Sequence, residues 1–252
     1  MIGYVAGRSW LHRAHPYTPL ALAAAVLLLS FAFHTPVPVW LMVAAALIMA
    51  LATGTIREVL GPALLLATPT WLVLLVLHGL LGEPPKAPFG PFLLSEPGVA
   101  RALVLGGRIG AIVIAFLAAL ATVSPARLVD GMTARGIPFG PIFLLVSTLT
   151  FLPRTRERAA RILEAQQARG LRIGGSPLAR FRALVPLVLP LVLGALAEVD
   201  EQVLALETRG ATSGVRRTPL DPPADPAGQR VLRLGLVVVV VVAWAARLTN
   251  RI

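Results

Sequence analysis

Five stretches of this chain are apolar for so long that water cannot be their solvent: Thr18 to Phe33, Val37 to Ala52, Leu60 to Leu81, Val99 to Val123 and Leu232 to Leu248. A helix needs about 20 residues to cross roughly 30 Å of hydrocarbon. The last three runs approach or reach that length and the first two fall slightly short. Inside hydrocarbon every backbone N–H and C=O must be satisfied within the chain, which restricts runs of this kind to helices. Composition agrees, with 56% hydrophobic and only 14% charged residues in 252, against roughly a quarter charged in soluble domains. The expectation is an all-α integral membrane protein with about five transmembrane helices.

The first run follows a polar head with His12 and Arg13 and could be read as a signal peptide. No small-x-small cleavage site precedes "HTPVP", however, and a second run follows at once, so a retained helical hairpin is expected. "TGTIREVLG" reads as a short loop carrying Arg57 and Glu58. Pro62 and Pro69 are compatible with the third span where neighbours satisfy the freed carbonyls. The Pro/Gly-rich "GEPPKAPFGPFLLSEPG" reads as an ordered or re-entrant loop.

Between Ser124 and Arg233 polar residues interrupt apolar ones at helical spacing, which divides the chain into a membrane region over 1–123, a cytoplasmic or interfacial helical region over 124–230 and a final span over 231–252. Ser124 is a plausible N-cap with Pro125 at the first helical position, and Gly136 ends that helix. The next helix starts apolar at "PFGPIFLL" and turns charged, with Glu157 and Arg161 at i, i+4, before stopping at Gly170. Pro177 to Gly210 holds fifteen consecutive apolar residues, Ala183 to Ala197, and then Glu198, Asp200 and Glu201. It reads as a helix lying against others near the interface in preference to a sixth span. Arg154, Arg156, Arg158, Arg161, Arg169, Arg172, Arg180 and Arg182 crowd this region, which marks it as cytoplasmic. Counting back through four spans places the amino terminus inside. The fifth span then leaves Arg247 and Arg251 on the disfavoured side.

Several chemistries are excluded. There are no cysteines, and Lys86 is the only lysine, so no G-x-x-x-x-G-K-[ST] nucleotide loop exists. The four histidines have no metal-ligand spacing; His12 and His15 read as interfacial residues. Neither a metal nor a cofactor is expected, and the chain does not read as an enzyme. The net charge of +11 sits in blocks between apolar runs, which suits a membrane surface or a cytoplasmic partner and not nucleic acid. The first four runs contain no acidic residue for an ion-coupled carrier, but the fourth carries Arg108, a residue costly at depth unless it meets carbonyls, water or a partner. Arg108 is expected either to snorkel toward one face or to hold helices around it.

"EAQQARGLRIGG" and "ALETRGATSG" place Arg169-Gly170 and Arg209-Gly210 forty positions apart. An Arg followed by Gly is a common helix ending, since the cation favours the negative end of the dipole and Gly takes the left-handed cap. Such a terminus can equally present its guanidinium to a partner.

"SWLHRAHPYTPLALAA", the Arg-bearing "GVARALVLGGRIGAIVIAFLAALATVSP", the "FLP" segment leading to "EAQQARG", and the closing "ALETRG" together resemble the membrane-embedded T component of energy-coupling factor (ECF) transporters, over about residues 9 to 246. His15, Pro19 and Thr150 depart from the residues usual in that family. The resemblance implies a non-catalytic scaffold in the cell membrane of a prokaryote. It would couple two cytoplasmic ABC-type ATPases to a substrate-binding S component that takes up a vitamin or a transition-metal ion such as cobalt or nickel. It implies that Ala168, Arg169 and Gly170, and Thr208, Arg209 and Gly210, each end a coupling helix docked on one ATPase, with Glu157, Glu164 and Gln166 supporting the first. Ala134-Arg135-Gly136 repeats the motif in a turn and is expected to have no docking role. The alternative is the permease subunit of a conventional ABC importer with its own translocation path; a more distant class is an autonomous carrier or membrane enzyme.

The topology predicts that single cysteines at Gly174 and Asp225 are not labelled by an impermeant thiol reagent added outside the cell, whereas one at Gly90 is. Strong external labelling at Gly174 would overturn this orientation.

Overall fold

The computed structural model describes residues 7, 9–82, 84, 86–89, 92–171, 177–211 and 222–249. Arg8, Glu83, Arg172 and Arg251, and the labelling positions Gly90 and Gly174, lie outside the described residues. The helices are α1 (Trp10–Arg13), α2 (Tyr17–Ala32), α3 (Pro36–Ala52), α4 (Ile56–Leu74), α5 (Glu96–Thr122), α6 (Pro125–Ala134), α7 (Phe139–Ala168), α8 (Pro177–Thr208) and α9 (Ala227–Leu248). A π-helical turn, Leu75–Leu80, prolongs α4, and β1 (Lys86–Phe89) pairs antiparallel with β2 (Phe92–Ser95). This is an all-α membrane protein. Ile56–Leu80, Glu96–Thr122 and Ala227–Leu248 are long and apolar enough to cross a bilayer, while α2 and α3 are shorter apolar helices.

Two local expectations are revised. Arg57 and Glu58 lie in the first turn of α4 and not in a loop. The reason is that Gly54, at φ 74°, closes α3 in the left-handed conformation, and Thr55 accepts the amide of Val59 at once. The Pro/Gly-rich segment is a short β-hairpin, whose strand β2 runs straight into α5. There the hydroxyl of Ser95 accepts the Gly98 amide at 3.2 Å as the N-cap.

The chain divides into two compact units, residues 1–131 with 220–252, and residues 132–219. In the first unit α5 is the central element, with α2, α3 and α4 packed on it. Its sequence explains the position. Ala111, Ala115, Ala118 and Ala119 are buried against Val43, Ala46, Ala50, Val59 and Ala63. In lipid the gain comes from close van der Waals packing, which small side chains allow. The approach is tightest at the Gly106-Gly107 pair. A Cβ on Gly106 would stand 1.8 Å from Cδ1 of Trp71, and one on Gly107 would stand 3.1 Å from Nε1 of Trp40. The two indoles meet edge to face at 6.1 Å, and Nε1 of Trp40 donates to the Leu103 carbonyl at 3.2 Å.

Helix α9 lies parallel to α2 and is held near both ends. Near its start, Oε1 of Gln229 accepts from the His15 amide at 2.8 Å and the Thr18 hydroxyl at 3.1 Å. Arg233 donates to the same hydroxyl at 3.0 Å and grips both oxygens of Asp225 at 2.7 Å. Burial opposes ionisation of Asp225, but the bonds and charge of Arg233, with the fields of His15 and Arg230, hold its carboxyl below the usual range. Near the other end Nε1 of Trp244 donates to the Leu28 carbonyl at 3.2 Å.

The glycine contact gives a stability test. Gly106→Ala forces a methyl against the Trp71 indole and should cost about 1–3 kcal/mol, read as a lower melting temperature of the purified chain. Gly235→Ala, with no atom within 4 Å of the new methyl, should leave it unchanged or slightly raised. Equal melting temperatures for the two variants would refute this packing.

Candidate functional site

The second unit is built on α7 and α8. Helix α7 runs unbroken through Pro153, and α8 through Pro186 and Pro190. Residues 143–154 of α7 line an open groove of about 320 Å³ with residues 195–206 of α8, and residues 151–158 line the next one with 191–195. As the number rises along one helix it falls along the other, so the two are antiparallel. Polar contacts hold the middle. Glu198 receives Arg154 at 3.4 Å and Arg158 at 3.0 Å, and Gly194 leaves room for the Arg158 side chain, whose Nη1 would lie 3.2 Å from a Cβ there. The expected Glu157–Arg161 pair does not form among the described residues. The arginines one turn apart, Arg154 and Arg158, converge instead on a carboxylate of the neighbouring helix. Glu157 and Glu164 are exposed and Gln166 is half-buried.

Both Arg-Gly pairs sit at helix ends of identical construction. At the end of α7 the Gly170 amide donates to the Gln167 carbonyl at 2.9 Å and the Leu171 amide to the Gln166 carbonyl at 3.0 Å. At the end of α8 the Gly210 amide donates to Glu207 at 3.0 Å and the Ala211 amide to Leu206 at 2.8 Å. These paired bonds are the Schellman closure, which needs a left-handed residue after the last helical one. Gly170 at φ 93° and Gly210 at φ 65° supply it. The third copy, Arg135-Gly136, closes α6 in the same way, through Thr133 at 2.9 Å and Met132 at 3.2 Å. Cap geometry therefore does not separate the three. Their surroundings do: α7 begins at Phe139, three residues beyond Gly136, so Arg135-Gly136 lies in the short α6–α7 connection, although it is exposed as well. Ala168, Arg169, Gly170, Thr208, Arg209 and Gly210 are all exposed. No hydrogen bond or ion pair holds either guanidinium among the described residues.

The antiparallel arrangement sends the two motifs in opposite directions. From Thr155 and Ala195, which face one another across the middle, each motif is 14 residues away, about 21 Å at 1.5 Å per residue. The exposed arginines thus lie at opposite ends of the pair, separated by up to about 40 Å on the same rise.

Arg108 is in the first unit, at the far end of α2. Its Nε donates to the Ser30 carbonyl at 2.8 Å and its Nη2 to the Phe33 carbonyl at 3.1 Å, with the guanidinium 4.7 Å from the Phe31 ring. Arg247 donates to the Phe31 carbonyl between them. The last carbonyls of a helix have no partner within it. Two arginines from different helices supply the missing donors. The sequence marks Arg108 as an anomaly and Arg247 as an ill-placed charge, but it assigns no contact to Arg247, Arg127, Gln229 or Arg233. Gln229 and Arg233, four residues apart at the head of an otherwise apolar run with Asp225 just ahead of it, were the available signal.

The family model of CbiQ, described as cobalt transport protein, matches residues 7–220. An energy-coupling factor transporter transmembrane protein EcfT of Brevibacillus brevis is 30% identical over 256 residues, covering 96% of each chain. The EcfT of Leuconostoc gelidum is 28% identical over 86% of each. A putative ABC transporter ATP-binding protein of Bifidobacterium longum is 29% identical over 83% of this chain, which spans 28% of that longer protein.

Arg108→Leu should leave the Ser30 and Phe33 carbonyls short of donors, at about 1–3 kcal/mol for each group. The melting temperature and yield of the purified chain should fall. Unchanged stability together with altered substrate selectivity of the transporter would contradict this role.

Proposed function

The chain belongs to the CbiQ family and is a transmembrane T component of the energy-coupling factor type, and from that premise we propose that it is the non-catalytic scaffold through which two cytoplasmic ATPases drive uptake. The observation that carries this reading is the α7–α8 pair. It offers two exposed Arg-Gly termini of the same construction at opposite ends, one for each of two copies of a partner. Ala168, Arg169 and Gly170 form one docking end and Thr208, Arg209 and Gly210 the other. Glu157, Glu164 and Gln166 lie along the helix that leads to the first. The region over 124–230 faces the cytoplasm, with its arginine density, and the amino terminus lies on the same side. The membrane is the cell membrane of a prokaryote. Substrate, a vitamin or a transition-metal ion such as cobalt or nickel, is captured by a separate S component, since Glu58 and Glu96, the carboxylates of helices α2 to α5, stand in the first turns of α4 and α5 and Arg108 is bonded to backbone carbonyls instead.

Arginine suits such an end because its planar fork pairs bidentately with carboxylates or carbonyls, whereas lysine offers a point charge. Losing one desolvated interfacial pair costs about 2–5 kcal/mol, largely because the partner group is left unpaired. Arg169→Ala and Arg209→Ala should each weaken recovery of the ATPases with the tagged chain. The double variant should abolish uptake while membrane insertion survives. Arg135→Ala, inside the α6–α7 turn, is the control. Full ATPase recovery and uptake in the double variant would reject the proposal and leave these arginines as ordinary helix caps.

A further inference from the structure

The coupling unit, residues 132–219, is inserted between two parts of the membrane unit, so the chain leaves the membrane unit along α6 and returns to it ahead of α9. Both passages are fastened to the same short segment. On the way out, Arg127 of α6 donates to the His12 carbonyl and, at 3.1 Å, to the Arg13 carbonyl. One turn further on, Gly131 lies so close to this segment that a Cβ there would stand 3.1 Å from Pro16 and 3.5 Å from His15. On the way back, Gln229 takes the His15 amide and the Thr18 hydroxyl, and Arg233 joins that hydroxyl to Asp225. The segment itself is stiff. Ser9 and His12 are bonded at 2.6 Å, His15 stacks on Tyr17 with centroids 5.0 Å apart, and Leu11, His12, His15 and Thr18 are all buried.

We propose that Ser9–Thr18 is a single anchor to which both chain connections of the coupling unit are pinned, Arg127 holding the outgoing one and Gln229 and Arg233 the returning one. The inference rests on the scaffold reading above. Its content is mechanical. A coupling unit displaced by ATPases pulls on the membrane helices at two covalent connections. If these were held independently, the motion would be absorbed by relative slip between them. Pinned to one stiff segment continuous with α2, they move together, and the displacement reaches α2 directly. The sequence separation is large, with Gln229 lying 214 residues from His15 and Arg127 lying 115 from His12. The polar bonds are the part of the joint that single side-chain substitutions can alter.

The test uses the full complex of this chain with its ATPases and S component. Arg127→Lys keeps the charge but cannot fork to two carbonyls; Gln229→Leu removes the acceptor of the His15 amide and the Thr18 hydroxyl; Gln229→Glu keeps that acceptor. We measure recovered complex, ATP hydrolysis and uptake, with uptake normalised to complex. The Arg127→Lys, Gln229→Leu double variant should keep ATPase recovery and hydrolysis but lose about tenfold in normalised uptake, a mid-range coupling effect. Replacing Gln229→Leu by Gln229→Glu in that background should restore much of the loss. Uptake that stays constant per assembled complex, or falls only in parallel with hydrolysis, overturns the proposal. So does equal uptake for the Leu and Glu variants. Failure of the unaltered chain to recover ATPases would instead bring down the scaffold reading and this inference with it.

Discussion

A backbone carbonyl that faces hydrocarbon has no water to turn to, and most of the distinctive features of the membrane unit follow from that shortage. Helix α2 has 16 residues, a rise of about 24 Å, and so ends short of the roughly 30 Å that the hydrocarbon spans. Its terminal carbonyls are met by Arg108 from α5 and Arg247 from α9. A charge at that depth is costly alone, but a guanidinium whose donors are filled by carbonyls offsets its own desolvation and that of the helix end together. The same bonds tie α5 and α9 to α2. They also account for an arginine near the end of the last span that orientation counting places on the disfavoured side. In this reading Arg247 caps a helix and carries no topological signal.

Packing among the spans follows a different rule, because lipid chains are as apolar as leucine and burial supplies little drive. Helix α5 meets its neighbours through alanine and glycine, so backbones come close enough for dispersion to favour association. Helix α9 lacks such a stripe. Most of its valines face outward, with Val237, Val238, Val241 and Val242 each about 60% exposed. It is held to α2 by polar and aromatic contacts near its two ends.

The unit over residues 132–219 repeats one local device. Three Arg-Gly pairs close three helices with the same pair of bonds, so the motif by itself specifies a helix end. What distinguishes Arg169 and Arg209 is placement on long antiparallel helices that expose both ends. Arg135 is turned into a connection by Pro138 and the start of α7. The proposed anchor at Ser9–Thr18 complements the proposed docking ends, since an element that transmits movement needs a point of attachment as well as an exposed end.

The apolar runs by themselves determined the helical class and the approximate positions of the three helices long enough to cross a bilayer, because hydrocarbon leaves the backbone one hydrogen-bonding solution. Gly136, Gly170 and Gly210 likewise marked helix ends directly, since a left-handed residue is a local requirement that sequence states without reference to the rest of the fold. The hairpin at Lys86–Ser95 and the helical start at Ile56 were less legible, because turn residues report a break without reporting what pairs across it. Tertiary structure alone decided which donors meet which carbonyls. Arg108 was visible as an anomaly, but its partners on α2, the second cap from Arg247 and the joint linking His12, His15 and Thr18 to Arg127, Gln229 and Arg233 depend on helices more than 70 residues apart coming together. No local propensity encodes such an encounter; for α5 it is set by which small-residue faces can approach, and for α9 by polar and aromatic side chains that meet partners on a distant segment.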